Sequence, residues 1–327
     1  MRYGASKGCS PLKQAQRKPA PAGKVIAGEK IEGEVTAAFG RRFHVELPEG
    51  ELLECVVRGR KSEFACGDRV YLQRTHGREG VIEKVAPRTS LLYRSDAFQQ
   101  KLIAANVDQV IFVLAAVPSY SEELLNRCLI AAQAAGVAAL VVLNKADLEA
   151  ETARARTALG WLAELGYRLV SICAKQNVAS LQAHLAGRLS VLVGQSGMGK
   201  STIINALVPN AAARVGEVSA ALDTGKHTTS SARLYRLGRD SGIIDSPGLQ
   251  EFGLYHLNDE ELAHALPEFR PLLGRCRFSN CRHVSEPDCA ILAAASDAKI
   301  RSSRLSLYQR LAVQHGEWRA QQKAQGR

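Results

Sequence analysis

A mixed α/β domain with a mostly parallel sheet, preceded by a small β-barrel and followed by a helical module, is the architecture this sequence predicts. Three observations carry it. Residues 30–87 hold five short alternating runs cut by turns, residues 108–248 alternate apolar strand-like runs with helical patterns, and residues 276–289 gather three cysteines and a histidine. The chain has 327 residues, 46% of them hydrophobic, enough for two or three domains with real cores. Its formal charge of +11 points to a polyanionic partner. The longest uncharged run, residues 128–144, is broken by Gln133, Gly136 and a turn, so it reads as a helix end plus a strand and not as a membrane span. No signal-peptide pattern opens the chain. The expected compartment is the cytosol, with the eight cysteines reduced or metal-bound.

Residues 1–27 read as a disordered basic tail, because Arg2, Lys7, Lys13, Arg17, Lys18 and Lys24 are interleaved with Pro, Gly, Ala and Gln and no apolar run can offset the ordering entropy. Residues 28–90 read as a barrel. Strands are expected at 31–36, 43–47, 52–57, 69–73 and 80–85, with turns at Gly40, Gly50 and Gly67. Five short strands in this span favour an OB-fold, and Arg41, Arg42, Arg58, Arg60 and Lys61 in or near its loops favour contact with nucleic acid. Residues 88–105 read as a linker.

The α/β domain is expected over residues 91–255. Its first strand falls at 108–117, followed by a helix at 119–135 with a Ser119/Glu122 capping box, a strand at 138–144, a helix at 148–165 closed by Gly166, and a strand at 167–172. A fourth strand, 189–193, runs into a glycine-rich turn and a helix at 201–207. That turn, Gly194, Gln195, Ser196, Gly197, Met198, Gly199, Lys200, Ser201 and Thr202, fits G-x-x-x-x-G-K-S/T, the loop that cradles phosphates. The glycines let backbone N–H groups wrap the phosphates, Lys200 neutralises their charge, and the Ser201 hydroxyl is placed to hold Mg²⁺.

The base-reading element lies upstream of the loop. The strand at 138–144 ends in Asn144, Lys145, Ala146 and Asp147, an N-K-x-D. The Asp147 carboxylate can accept from N1–H and the 2-amino group of guanine, which adenine does not offer. Two charge-assisted bonds at about 1.5 to 3 kcal/mol each give roughly a hundredfold preference or more. Cys173 and Ala174, at the end of the next strand, stand where many GTPases place a Ser-Ala-Lys turn whose backbone touches the base. Downstream, Gly225 to Ser231 is a polar stretch in which Thr228 or Thr229 can complete the Mg²⁺ shell. The strand beginning at Gly242 ends in Asp245-Ser246-Pro247-Gly248, a D-x-x-G with Asp245 near Mg²⁺ and the Gly248 N–H sensing the γ-phosphate.

The order is therefore base reader, phosphate loop, first switch, second switch, whereas ordinary small GTPases put the base reader last. A circularly permuted sheet accounts for this, with new ends just after the second switch and just before the strand leading to Asn144. Both flanking modules then attach near the γ-phosphate sensor.

Residues 256–327 form the last module. Cys276, Cys281, His283 and Cys289 spell C-x4-C-x-H-x5-C, a set suited to one closed, tetrahedral structural Zn²⁺. Arg275, Arg277 and Arg282 surround it, as expected of a metal knob that also touches phosphates. Residues 299–323 are helical and basic, with Leu305, Leu307, Tyr308 and Leu311 expected inward and Arg301, Arg304, Arg310 and Arg319 expected to face a partner.

Taken together, the basic tail, the OB-like barrel, the permuted order N-K-A-D, G-Q-S-G-M-G-K-S, G-K-H-T-T and D-S-P-G, and the C-x4-C-x-H-x5-C module resemble the RsgA (YjeQ) family of bacterial ribosome-assembly GTPases. The resemblance covers nearly the whole chain beyond the tail. It implies a circularly permuted α/β P-loop GTPase domain between an N-terminal OB-fold β-barrel and a C-terminal helical zinc-binding domain. It further implies a cytoplasmic, monomeric enzyme that binds the small ribosomal subunit and its 16S rRNA near the decoding region, hydrolyses GTP to GDP with Mg²⁺, is stimulated by the subunit, and leaves when late maturation is complete. Leu249 stands where Ras-like enzymes keep the water-orienting glutamine, so unaided hydrolysis should be slow. By the same resemblance, His227 is the candidate replacement.

Three competing readings remain at this point. An RNA-binding scaffold using GTP as a structural ligand is separated by single-turnover hydrolysis with and without small subunits. A permuted GTPase acting on the large subunit is disfavoured by the barrel and the cysteine cluster. A P-loop ATPase leaves Asp147 without a task, and GTP/ATP competition decides.

Overall fold

The computed structural model describes residues 30–58, 64–95, 100–209, 232–246 and 253–324. The basic tail expected at 1–27 lies outside them. Strands β1 Ile31–Phe39, β2 Arg42–Glu46, β3 Leu52–Val57, β4 Arg69–Arg74 and β5 Glu79–Val85 form the barrel. Their order is β1-β2-β3-β5-β4, with β4 returning to pair with β1 and close the ring. The β3–β5 pairing is parallel and the others antiparallel. Period-two alternation turns Val35, Phe43, Val45, Leu53, Val70, Leu72 and Ile82 inward, where they make a core of their own.

Residues 88–105, expected as a linker, contain an antiparallel hairpin, β6 Leu91–Ser95 with β7 Gln100–Ala105. Leu92, Ile103 and Ala104 bury into the main core, so this connection is a packed element.

The central sheet comprises β8 Gln109–Ala115, β9 Ala138–Asn144, β10 Arg168–Ser171, β11 Leu189–Val193, β12 Arg233–Arg236 and β13 Gly242–Asp245. Its order is β10-β9-β8-β11-β13-β12. All neighbours are parallel except β12, which runs antiparallel to β13. The strand holding the phosphate loop, β11, thus sits at the centre, flanked by β8 from earlier in the chain and β13 from later. The rearranged connectivity begins at β8, one strand before the one that ends in Asn144.

Helices α1 Glu122–Ala134, α2 Glu149–Ala158, α3 Trp161–Glu164, α4 Ala179–Gln182 and α5 Lys200–Leu207 complete this domain. Two local expectations are corrected. The α1 cap is Ser121, whose hydroxyl accepts from the Leu124 N–H at 3.1 Å, and not Ser119. The helix expected at 148–165 divides at Gly160, and Leu159, Trp161 and Leu162 bury around the break. Tertiary burial here outweighs continuation of a helix through a glycine.

Beyond residue 253 come α6 Asp259–His264, a 3-10 turn at Arg270–Leu272, α7 Ala290–Ser296 and α8 Ser302–Ala324. A reciprocal capping box between Asn258 and Glu261 starts α6. Both faces of the sheet are covered. Ile203 and Ile204 of α5 pack on one, and α1 together with Leu262, Phe269, Ile291, Leu307, Tyr308 and Leu311 packs on the other.

The basic face expected on the last helix is not free. Arg304 is 1% exposed and its guanidinium is held by the Glu268 carboxylate and by Asn126 Oδ1. Arg310 pairs with Glu123, Arg319 pairs with Asp259, and Arg301 lies over the Trp161 ring. The acidic first turn of α1, Asp259 at the start of α6 and Glu268 beyond its end take up these cations.

Candidate functional site

Parallel register brings three loops to one edge of the sheet. Ala115 lies beside Asn144, Phe112 beside Val193, and Leu192 beside Asp245. The C-terminal ends of β9, β11 and β13 therefore open onto a common crevice, the usual ligand position in such sheets. Gly194 leaves β11 at φ +148°, where a Cβ would stand 2.5 Å from the Val113 carbonyl oxygen. Gly199, the residue preceding α5, has φ +95°, and a Cβ there would run into the Asn144 amide. Only glycine fits either place.

The loop's outer residues, Ser196 and Gly197, are exposed, while the Met198 side chain is buried against Ile203 and Ile204. Lys200 Nζ donates to the Gly194 and Gln195 carbonyls at 2.7 and 3.0 Å, so the cation lies along the inside of the loop. Burial pushes the Lys200 ammonium below its ordinary range, opposed by the Asp245 charge; burial pushes the Asp245 carboxyl up, opposed by Lys200. Ser201 is exposed on the first turn of α5, with Thr202 half-buried behind it.

Asn144 ties the crevice together. Its Nδ2 donates to the Met198 carbonyl and its Oδ1 accepts from the Ala174 N–H, both at 3.0 Å. The phosphate loop, the N-K-x-D strand and the turn at 173–174 are thereby joined through one buried side chain. Asp147 stands exposed beside them, accepting from the Cys173 thiol at 3.1 Å. That bond, with Lys175 and Lys145 nearby, lowers its carboxyl below the usual range. Lys145, at φ +62°, sends Nζ to the Val117 carbonyl at 2.8 Å.

Two functions of these side chains were not legible in the sequence. The Cys173 thiol engages Asp147 directly, whereas the sequence suggested only a backbone role for that turn. Gln195 Oε1 accepts from the Ser121 N–H at 2.8 Å, linking the phosphate loop to the start of α1. Both are contacts between residues far apart in sequence. His227, Thr228, Thr229 and Gly248, together with Leu249, lie outside the described residues.

At the far end of the chain, the ligand atoms of Cys276, Cys281, His283 and Cys289 all lie within 4.8 Å of one another. Cys276 Sγ and Cys289 Sγ are 3.8 Å apart, and His283 Nδ1 is 3.5 and 3.4 Å from them. A tetrahedron built on bonds of about 2.3 Å to sulfur and about 2.0 Å to nitrogen has edges of about 3.8 and 3.5 Å. The donor set fits one zinc ion in size and in chemistry. Its loop is braced by Glu286, which accepts from the backbone N–H groups of Arg282, Val284 and Ser285. Although burial opposes it, those bonds hold the Glu286 carboxyl down at about 2.

The surrounding arginines divide. Arg275 is exposed, Arg277 is exposed but pairs with Asp288 at 2.9 Å, and Arg282, also exposed, bonds to Asp259 and the Ala312 carbonyl. On the barrel, Arg41 is exposed, Arg42 and Arg58 pair with Glu54 and Glu83, and Arg60 and Lys61 lie outside the described residues.

A central P-loop strand, an N-K-x-D reader supplied by an earlier strand, and a closed five-stranded barrel upstream define a circularly permuted P-loop GTPase. Comparison with known proteins agrees. A family model described as RsgA GTPase matches residues 85–255. A small ribosomal subunit biogenesis GTPase RsgA from Nitrosospira multiformis is 51% identical over 286 residues, covering 88% of this chain and 91% of its own. The protein of that name from Burkholderia pseudomallei is 50% identical over 307 residues, covering 92% and 96%. A YjeQ crystal structure from Thermotoga maritima superposes with a TM-score of 0.67 at 29% identity, covering 88% of this chain and 99% of that one. The fold of YloQ, described as a circularly permuted GTPase, gives 0.64 at 24% identity over 91% and 98%. The chain belongs to the RsgA GTPase family.

Proposed function

We propose that this chain hydrolyses GTP to GDP and phosphate in the crevice above β9, β11 and β13, and does so in assisting late maturation of the small ribosomal subunit, the task named for its relatives. The observation that carries the reading is the Asn144 bridge, since one amide holds the phosphate loop and the guanine-reading segment in a single cradle. Asp147 reads N1–H and the 2-amino group, with Asn144, Lys145 and the Cys173-Ala174 turn bracing the base. The N–H groups of residues 194–202 take the phosphates, and Lys200 swings from its own loop carbonyls to the β- and γ-oxygens. Membership of this family implies Mg²⁺, which would supply neutralisation of phosphate charge; Ser201, Asp245 and one of Thr228 or Thr229 are the residues we assign to hold it. Gly248 senses the γ-phosphate through its N–H.

The residue after that glycine is Leu249, which cannot orient water, so we assign the task to His227 when the small subunit is bound. Single-turnover hydrolysis tests this. Small subunits should raise the rate strongly in the unaltered chain, while His227→Ala should keep GTP affinity and lose the stimulation. Equal rates with and without subunits would reject the assignment and favour a scaffold that holds GTP as a structural ligand.

We further infer that one structural zinc sits among Cys276, Cys281, His283 and Cys289, that the partner surface includes 16S rRNA, and that the chain acts in the cytoplasm as a monomer. No helix among the described residues is long and apolar enough to cross a membrane. We retain the division into tail 1–27, barrel 28–90, GTPase domain 91–255 and C-terminal module 256–327 as a functional one, although the apolar core runs across its last boundary.

A further inference from the structure

Among the described residues, the large apolar side chains that stand exposed are Val56, Val117, Phe278 and Val313, and Phe278 is the one aromatic. It is 42% exposed and lies at the middle of residues 277–280, a tip in which every residue faces solvent. The tip is clamped at both ends by the cysteine cluster, through Cys276 and Cys281. Its backbone is further pinned where the Cys281 N–H donates to the Phe278 carbonyl and the Arg277 N–H donates to the Asp288 carbonyl, both at 3.2 Å. The Arg277 guanidinium sits 5.5 Å from the ring centroid, steadied by its pair with Asp288.

Folding does not account for this placement, because a ring left in solvent contributes little to a core. A ring whose loop is held at both ends by the cysteine cluster, with an arginine on it, is, however, the arrangement on which an unstacked nucleobase gains binding energy at small ordering cost. The neighbours select among partners. Arg275, Arg277, Ser279 and Asn280 surround the ring with cations and hydrogen-bonding groups, and no acidic residue occurs from 275 to 282, which suits a base carried on a polyanionic backbone. We propose that Phe278, flanked by Arg275 and Arg277, is a stacking platform for one unpaired RNA base. This rests on the reading of the small subunit as partner and adds a site to it.

The test uses the full chain with its metal content measured. In the GTP-analogue state, Phe278→Ala should bind small subunits about tenfold more weakly, with metal content and unstimulated GTP hydrolysis unchanged, and Phe278→Tyr should restore binding. The salt dependence of binding should be unaltered in Phe278→Ala but lose about one unit of slope in Arg275→Ala. With p-benzoylphenylalanine in place of Phe278, irradiation should join the chain to RNA. Wild-type affinity in Phe278→Ala, or crosslinks to ribosomal protein alone, overturns the proposal. Should the unaltered chain fail to sediment with small subunits, the partner reading falls instead. Binding of a mixed-sequence single-stranded RNA by the same variants then decides the platform, equal affinities rejecting it.

Discussion

The GTPase domain meets its two neighbours in opposite ways. Toward the C-terminal module the joint is a continuous apolar core in which Leu254, Leu257, Phe269, Leu307 and Leu311 pack with residues of α1 and the sheet. Toward the barrel it is largely polar: Cys66 enters the main core, its thiol donates to the Ala232 carbonyl at 3.2 Å, the Ala105 N–H donates to the Cys66 carbonyl at 2.9 Å and Asn106 Nδ2 donates to the Gly67 carbonyl at 2.8 Å. β1 pairs with β12 at one position, Ala37 beside Arg233, while Arg236 reaches Glu34 and Glu46 and Arg233 lies over the Phe39 ring. Apart from Cys66, the barrel keeps its own core. A shared core moves as one body, whereas half-exposed ion pairs contribute little and can be exchanged for water. The barrel is therefore the more loosely joined of the two neighbours, with β12 among the elements that hold it.

Breaking the apolar joint should cost most. Arg304→Ala strands the buried Glu268 carboxylate and leaves Asn126 without its partner. The expected loss is about 3 to 5 kcal/mol, read from urea unfolding as a lower midpoint for the GTPase domain and the C-terminal module together. Two separate transitions in the unaltered protein would mean that the joint is not a shared core.

Acid should act next, and more strongly on the same side. Burial, reinforced by Arg319, lowers His315 to about 4; burial lowers His256 to about 4 against the opposing Glu261 charge; at the barrel joint burial, with Arg233, lowers His44 to about 4. An unfolded histidine takes its proton near pH 6.5, so between 6.5 and 4 the unfolded state binds more protons. The stability these groups confer is complete above about pH 6.5 and is lost as pH falls toward 4. His315→Phe and His44→Phe should each flatten the acid dependence of thermal unfolding, and to a similar extent, because each removes one ring lowered to about 4.

A smaller effect is expected from Tyr308→Phe, which removes the phenol donated to the Arg282 carbonyl at 3.0 Å; about 1 kcal/mol should be lost. Arg236→Ala should be the mildest for stability, below about 1 kcal/mol, because its ion pairs are half-exposed. It should nonetheless loosen the barrel, seen as a larger radius of gyration by small-angle scattering. An unchanged radius with a large stability loss would reverse the contrast between the joints.

Local patterns made much of this legible in advance. The barrel strands follow from alternation, β11 from four apolar residues in five ahead of a glycine turn, and the cysteine cluster from spacing alone. What could not be read was pairing at a distance. Arg304 looked like one more surface cation on a basic helix, and only the approach of Glu268 and Asn126 makes it a core residue. The hairpin at 91–105 has weak alternation of its own and is held by burial of Leu92 and Ile103 against other elements. At the site, residue types suggested who takes part, but Gln195 at the head of α1 and the Cys173 thiol on Asp147 depend on loop positions that no spacing encodes.

The meeting of β1 with β12 also bears on how the molecule stays apart from its copies. β12 is, like β10, an outer strand of the central sheet, and an uncovered outer strand offers unpaired backbone groups on which another chain can build. The barrel shields that border. A truncated chain lacking residues 28–90 would present it bare, and would be expected to form concentration-dependent aggregates even where its nucleotide crevice remains intact.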